Sequence, residues 1–209
     1  MIEPTKFALF TAVSWALIIA PGPDMFYVIT RAMTHGRRAG IVSAVGVVSG
    51  ILVHTTAAAL GLTVLFQSSA LAFLVVKYLG AAYLIYLGFK GWRNKDTFSL
   101  QAPAANTSLS ALFGQGLMSN VLNPKIGIFF LAFLPQFVNQ GSSQVTLQMA
   151  SLGLTFAFFG LCFLVTVGYF AGTVGAWLTQ RPQYTNTLRW LNGGILIGLG
   201  VRLALTEQR

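Results

Sequence analysis

The chain holds four acids, two histidines and one cysteine, so few side chains are available for acid–base or ligand chemistry. Three of the acids, Glu3, Asp96 and Glu207, lie near the termini or in a polar loop. The fourth, Asp24, interrupts the apolar stretch IIAPGPDMFYVI (residues 18–29), directly after Pro21-Gly22-Pro23. An acid within hydrocarbon costs about 2.5–3.5 kcal/mol on insertion scales, and such residues mark ion or substrate pathways. Asp24 therefore has two readings. It caps the helix that restarts after the prolines, a position where Asp is preferred, or it caps and also binds a proton or a substrate ammonium. Lys125 stands in a second interrupted stretch, Asn123-Pro124-Lys125. It either snorkels or satisfies carbonyls freed by Pro124, or it anchors a carboxylate and balances Asp24.

Other polar residues are weighed the same way. Asn120 and Asn123 either mend the hydrogen bonds of a broken helix or belong to the same site. His54 follows Gly46 and Gly50 at four-residue spacing, so the three share one helix face. Gly46-x-x-x-Gly50 permits close helix approach, which places His54 inside the bundle or at a cavity wall, as a structural histidine or a proton relay. Tyr83 and Gln115 are pocket candidates or ordinary packing groups. No metal site or paired-carboxylate constellation can be assembled from this inventory, so no metal or cofactor is expected.

The elements that must position these residues are membrane helices. Of 209 residues, 55% are hydrophobic and 8% charged, with a mean hydropathy of +0.71, whereas soluble domains carry about 25% charged residues. The solvent is a lipid bilayer. Hydrophobic runs predict six transmembrane helices at 5–33, 39–65, 69–92, 109–138, 145–178 and 184–205, an all-α membrane protein. The first, fourth and fifth exceed a straight crossing, so breaks or tilt are expected. The chain reads as one transmembrane domain over 1–209, with one repeat at about 1–92, a polar linker at 93–108 and a second repeat at about 109–209. Met1–Lys6 and the run that follows lack the marks of a cleaved signal peptide.

Seven basic residues follow the odd-numbered spans: Arg31, Arg37, Arg38, Lys90, Arg93, Lys95 and Arg181. The loops after spans two and four hold none. The positive-inside rule puts the odd loops in the cytoplasm and both termini outside, although Lys6, Arg202 and Arg209 pull the other way. The same rule accounts for the net charge of +9, so no nucleic-acid partner is expected. No oligomeric state follows from the sequence.

The halves repeat. Residues 77–90 read KYLGAAYLIYLGFK and 189–202 read RWLNGGILIGLGVR; Leu79, Leu84, Ile85, Leu87 and Gly88 recur as Leu191, Leu196, Ile197, Leu199 and Gly200. Earlier, Ala8-Leu9-Phe10 and Pro21 align with Ala111-Leu112-Phe113 and Pro124. Three spans per copy is odd, so the copies cross the membrane in opposite senses. Broken helices at matching places in two inverted halves point to a transporter's midplane site. The half-helices that restart there offer free N–H groups and the positive end of a dipole to an anionic group. Against a transporter stand an intramembrane enzyme, a channel and a scaffold. Val47-Val48-Ser49-Gly50 lacks the G-x-S-G of an intramembrane serine hydrolase, no charged rings or filter-like repeats mark a channel, and a scaffold needs no intramembrane acid.

Pro21-Gly22-Pro23-Asp24 in span one, the run Lys77–Gly88 in span three, and Asn123-Pro124-Lys125 followed by Phe133-Leu134-Pro135-Gln136-Phe137 in span four resemble the LysE/RhtB amino-acid exporter family. The resemblance extends over the whole chain and is weakest in spans five and six. It implies a multi-pass carrier of the bacterial inner membrane that exports amino acids or derivatives on the proton-motive force, with the homoserine, homoserine-lactone and threonine branch the most similar. A single intramembrane acid agrees with a zwitterion of neutral side chain, because a cationic side chain would need a second. The mechanism expected is antiport, with Asp24 taking either the ammonium or a proton and Lys125 the carboxylate. A uniporter in which Asp24 is only a cap is the alternative.

Overall fold

A computed structural model describes residues 2–62, 70–93, 107–139, 142–171, 173 and 182–206. Most of the predicted linker (94–106), Lys95, Arg181 and the predicted ends of spans two and five lie outside them. The described residues form helices and turns without a strand. Helices α1 (Pro4–Ile19) and α2 (Pro23–His35) make span one, bent by 49°. Helix α3 (Arg37–Ala57) runs on through a π turn at Ala58–Leu62, and α4 (Ala70–Arg93) follows. Span four is α5 (Leu109–Val121) and the half-span Pro124–Phe137, bent by 48°. That half-span is α6 (Pro124–Ile128), a π turn (Phe129–Phe133) and a 3-10 turn (Leu134–Phe137). Helices α7 (Val145–Tyr169) and α8 (Pro182–Leu205) complete an all-α, multi-pass membrane protein of about six helices, the first and fourth broken.

The breaks fall where backbone chemistry demands. Pro21 and Pro23 have no N–H to donate, so the carbonyls of Leu17 and Ile19 lose their partners four residues on; α1 ends at Ile19 and α2 starts at Pro23. In span four, the residue before a proline is pushed out of the helical region, and Asn123 is extended (φ −76°, ψ 107°). Between α2 and α3, Gly36 turns the chain at φ 85° and ψ 172°, a conformation open essentially to glycine alone.

Glycines set the helix seams. A Cβ at Gly46 would strike the Phe113 carbonyl, and one at Gly50 would lie 2.7 Å from Asn120 Cβ. From the other side, a Cβ at Gly116 would come within 2.8 Å of the Ser43 carbonyl oxygen. Helices α3 and α5 thus meet backbone to backbone, as the Gly46-x-x-x-Gly50 spacing predicts. The inverted repeat is visible in paired contacts. A Cβ at Gly88 would lie 2.5 Å from Ile197 Cγ1 and 2.7 Å from the Gly193 carbonyl oxygen; at Gly200, the counterpart of Gly88, it would lie 2.7 Å from both Ile85 Cγ1 and the Ala81 carbonyl oxygen. Ile85 and Ala81 are the counterparts of Ile197 and Gly193. Spans two and five repeat the relation, Gly40 against Gly168 and Gly153 against Thr55. Antiparallel helices exchanged in this way are related by a two-fold axis in the membrane plane.

The centre is filled by Phe10, Phe129, Phe130, Phe133, Phe137 and Phe156, all buried, whose rings meet at 5.0–6.3 Å between centroids. The outer faces carry exposed Leu71, Leu79, Leu154 and Phe158, apolar side chains that lipid solvates.

Candidate functional site

The two breaks meet. Asp24 is the second residue of α2, where Gly22 holds the N-cap position and no side chain makes a capping bond. Its carboxylate instead turns to span four. Oδ2 accepts a hydrogen bond from Asn120 Nδ2 at 2.8 Å and another from Asn123 Nδ2 at 3.0 Å, while Oδ1 is buried with no partner. Asn123 works at both ends, because its Oδ1 accepts the Lys125 backbone N–H at 3.1 Å and caps α6.

Lys125 is buried, and its Nζ donates to the carbonyls of Leu17 (3.0 Å) and Ala20 (2.9 Å). Leu17 is the carbonyl that Pro21 leaves without a donor. The lysine therefore mends the break in span one, not the one made by Pro124, and sets a positive charge at the negative end of the α1 dipole. In the repeat register Leu17 and Ala20 match Asn120 and Asn123, so each break supplies what the other lacks. Span four sends an ammonium to the carbonyls of span one and two amides to its acid.

Asp24, Asn123 and Lys125 are among the residues lining a recess of about 430 Å³, counting its open mouth. Apolar residues make up the rest of the lining, including Met25 of α2, Val47 and Ile51 of α3, and Phe156, Gly160 and Leu164 of α7. Nothing in the sequence separated these wall residues from their lipid-facing neighbours, since both are apolar residues in apolar helices.

His54 Nε2 lies 3.1 Å from the Asn120 carbonyl oxygen, and its ring packs against Phe130 at 6.0 Å. It braces the helix end that carries Asn120, one shell behind Asp24. Gln115 is exposed and accepts a hydrogen bond from Arg31 Nη2 at 3.1 Å. Tyr83 is 36% exposed on the outer face of α4, with its ring 5.8 Å from that of Tyr86. Neither Gln115 nor Tyr83 lines the recess, because their helix faces turn away from it.

The family described as LysE type translocator matches residues 15–207. An uncharacterized membrane protein of Bacillus subtilis (strain 168), YrhP, is 33% identical over 201 residues, 91% of this chain and 94% of that protein. The homoserine/homoserine lactone efflux protein of Salmonella typhimurium is 31% identical, with 91% of this chain and 92% of that protein covered. The leucine efflux protein of Klebsiella pneumoniae is 28% identical over 92% of this chain and 91% of its own. No solved structure matches.

Proposed function

The chain belongs to the LysE type translocator family, and from that premise we propose that it exports a neutral amino acid or close derivative in exchange for a proton at Asp24. One observation carries the reading. The Asp24 carboxylate is held through Oδ2 by two amides of the partner break, while Oδ1 is buried and unpartnered beside the Lys125 recess. A buried acceptor without a partner is costly, and either a proton or a substrate ammonium relieves it. The two cannot occupy it together, which is the requirement for exchange. Lys125 has three donors, two of them committed to span one; the third is free for the substrate carboxylate. Rocking of the two inverted repeats around this site alternates access. With one acid at this depth, the substrate's side chain is uncharged, as are those of homoserine and leucine, for whose efflux two of the relatives are named.

The test is efflux of radiolabelled amino acids from cells expressing the chain, with and without a protonophore, alongside Asp24→Asn at matched membrane abundance. Asn caps a helix about as well as Asp but cannot carry the proton or the charge. Protonophore-sensitive efflux is expected, and Asp24→Asn is expected to abolish export against a gradient while still inserting. Wild-type uphill export by Asp24→Asn would reduce the acid to architecture and refute proton exchange at Asp24; downhill export that ignores the protonophore in the unaltered chain would leave a uniporter, and preferential export of lysine or arginine would refute the single-acid argument.

A further inference from the structure

We propose that Gly160 sets the size limit of a side-chain subsite, walled by Val47, Ile51, Phe156 and Leu164, that takes an aliphatic amino-acid side chain; this rests on the reading of Asp24 and Lys125 as the zwitterion end. Glycine is a poor helix residue; at some positions of this bundle close backbone approach explains it, while at others that do not line the recess, such as Gly114 and Gly198, a Cβ would meet nothing. At Gly46, Gly88 and Gly200 a Cβ would meet a neighbouring helix's backbone. At Gly160 it would not. A Cβ there has one neighbour within 4 Å, Ile51 Cδ1 at 3.2 Å, and the space beside it is the recess itself. The missing side chain is room for a ligand.

The part of the recess lined by α3 and α7 is apolar: Val47, Ile51, Phe156 and Leu164 offer no hydroxyl, amide or charge. With the substrate's ammonium and carboxylate at Asp24 and Lys125, a side chain projecting toward α3 and α7 meets apolar groups. A hydroxyl would be desolvated there without a partner. The subsite therefore favours leucine-like substrates over homoserine or threonine, narrowing the substrate class that the sequence resemblance implies.

Export of radiolabelled alanine, leucine and homoserine at matched membrane abundance tests this. The wild-type protein is expected to export leucine over homoserine by roughly tenfold. Gly160→Ala places a methyl in the recess and is expected to lower the leucine-to-alanine ratio by roughly tenfold. Adding Ile51→Val deletes the Cδ1 that the new methyl meets, and the ratio should recover. Should Gly160→Ala fail to reach the membrane, Ile51→Val alone reads the same wall in the opposite sense, by raising the ratio. A homoserine preference, a ratio unmoved by these variants, or equal loss of both substrates in Gly160→Ala would overturn the subsite while proton-dependent export stood. Absence of protonophore-sensitive export for every amino acid would overturn the export reading and the subsite together.

Discussion

An ammonium inside hydrocarbon is tolerated only when its donors are used, and Lys125 spends two on carbonyls stranded by the break in span one. Removing the donor should destabilise the fold as well as stop transport. Lys125→Met leaves the Leu17 and Ala20 carbonyls without it, at about 1–3 kcal/mol for each unsatisfied group. For a chain of this size each kcal/mol lowers Tm by roughly 2–4 °C, a shift measurable in detergent. Lys125→Gln keeps one donor group and should recover part of the loss in Tm without restoring export. An unchanged Tm in Lys125→Met with export lost would make the lysine a substrate anchor alone. At this scale the sequence revealed Asp24, Asn123 and Lys125 because prolines, amides and charges stand out in apolar runs. It did not reveal which break Lys125 mends, which depends on span four approaching span one. Nor did it separate buried Leu164 from Leu154, 57% exposed on the same helix. Tyr83, exposed on α4, shows that polarity in a membrane helix is not enough to place a side chain at the recess.

The α3–α5 seam is held at backbone distance by Gly46, Gly50 and Gly116, and it positions Asn120 against Asp24. Two glycines in this chain should respond to alanine with opposite signs. A Cβ at Gly46 would strike the Phe113 carbonyl, a backbone atom with no rotamer to escape into, whereas Gly114 has nothing within 4 Å. Gly46→Ala should therefore cost about 1–3 kcal/mol by overpacking, and Gly114→Ala should gain about 0.5–1 kcal/mol from helix propensity. Thermal or denaturant unfolding in detergent reads both. Equal effects would mean that the seam is loose. The seam was legible as four-residue glycine spacing, as were six spans and the two breaks. In span five, α7 stops at Tyr169 and Phe170 turns at φ −94°, ψ 11°, a turn the sequence hides because Phe170 and Ala171 continue the apolar run; the predicted end at 178 lies outside the described residues.

Across the whole molecule, side-chain contacts sort the helix ends into two faces. Phe10, near the N-terminus, packs against Phe137 at the end of span four, with centroids 5.4 Å apart. Lys77, early in span three, donates to the Thr206 carbonyl at 2.6 Å. Both termini therefore share the face of loops two and four. On the other face the Arg37 guanidinium lies 4.6 Å from the Tyr169 ring centroid, and Trp92 Nε1 donates to the Trp190 carbonyl at 3.0 Å. These contacts join the ends of spans five and three to the starts of spans two and six, the face where Arg31, Arg37, Arg38, Lys90 and Arg93 collect. Basic residues in short loops are retained in the cytoplasm, which predicts that the termini face outward. Cys162 is exposed and must be replaced before single cysteines are read. In a Cys162→Ser background, an impermeant maleimide on intact cells should label Ser142→Cys and spare Arg38→Cys, with both reacting after permeabilisation. The opposite pattern would leave the fold and the two-fold axis intact but give the orientation to Lys6, Arg202 and Arg209.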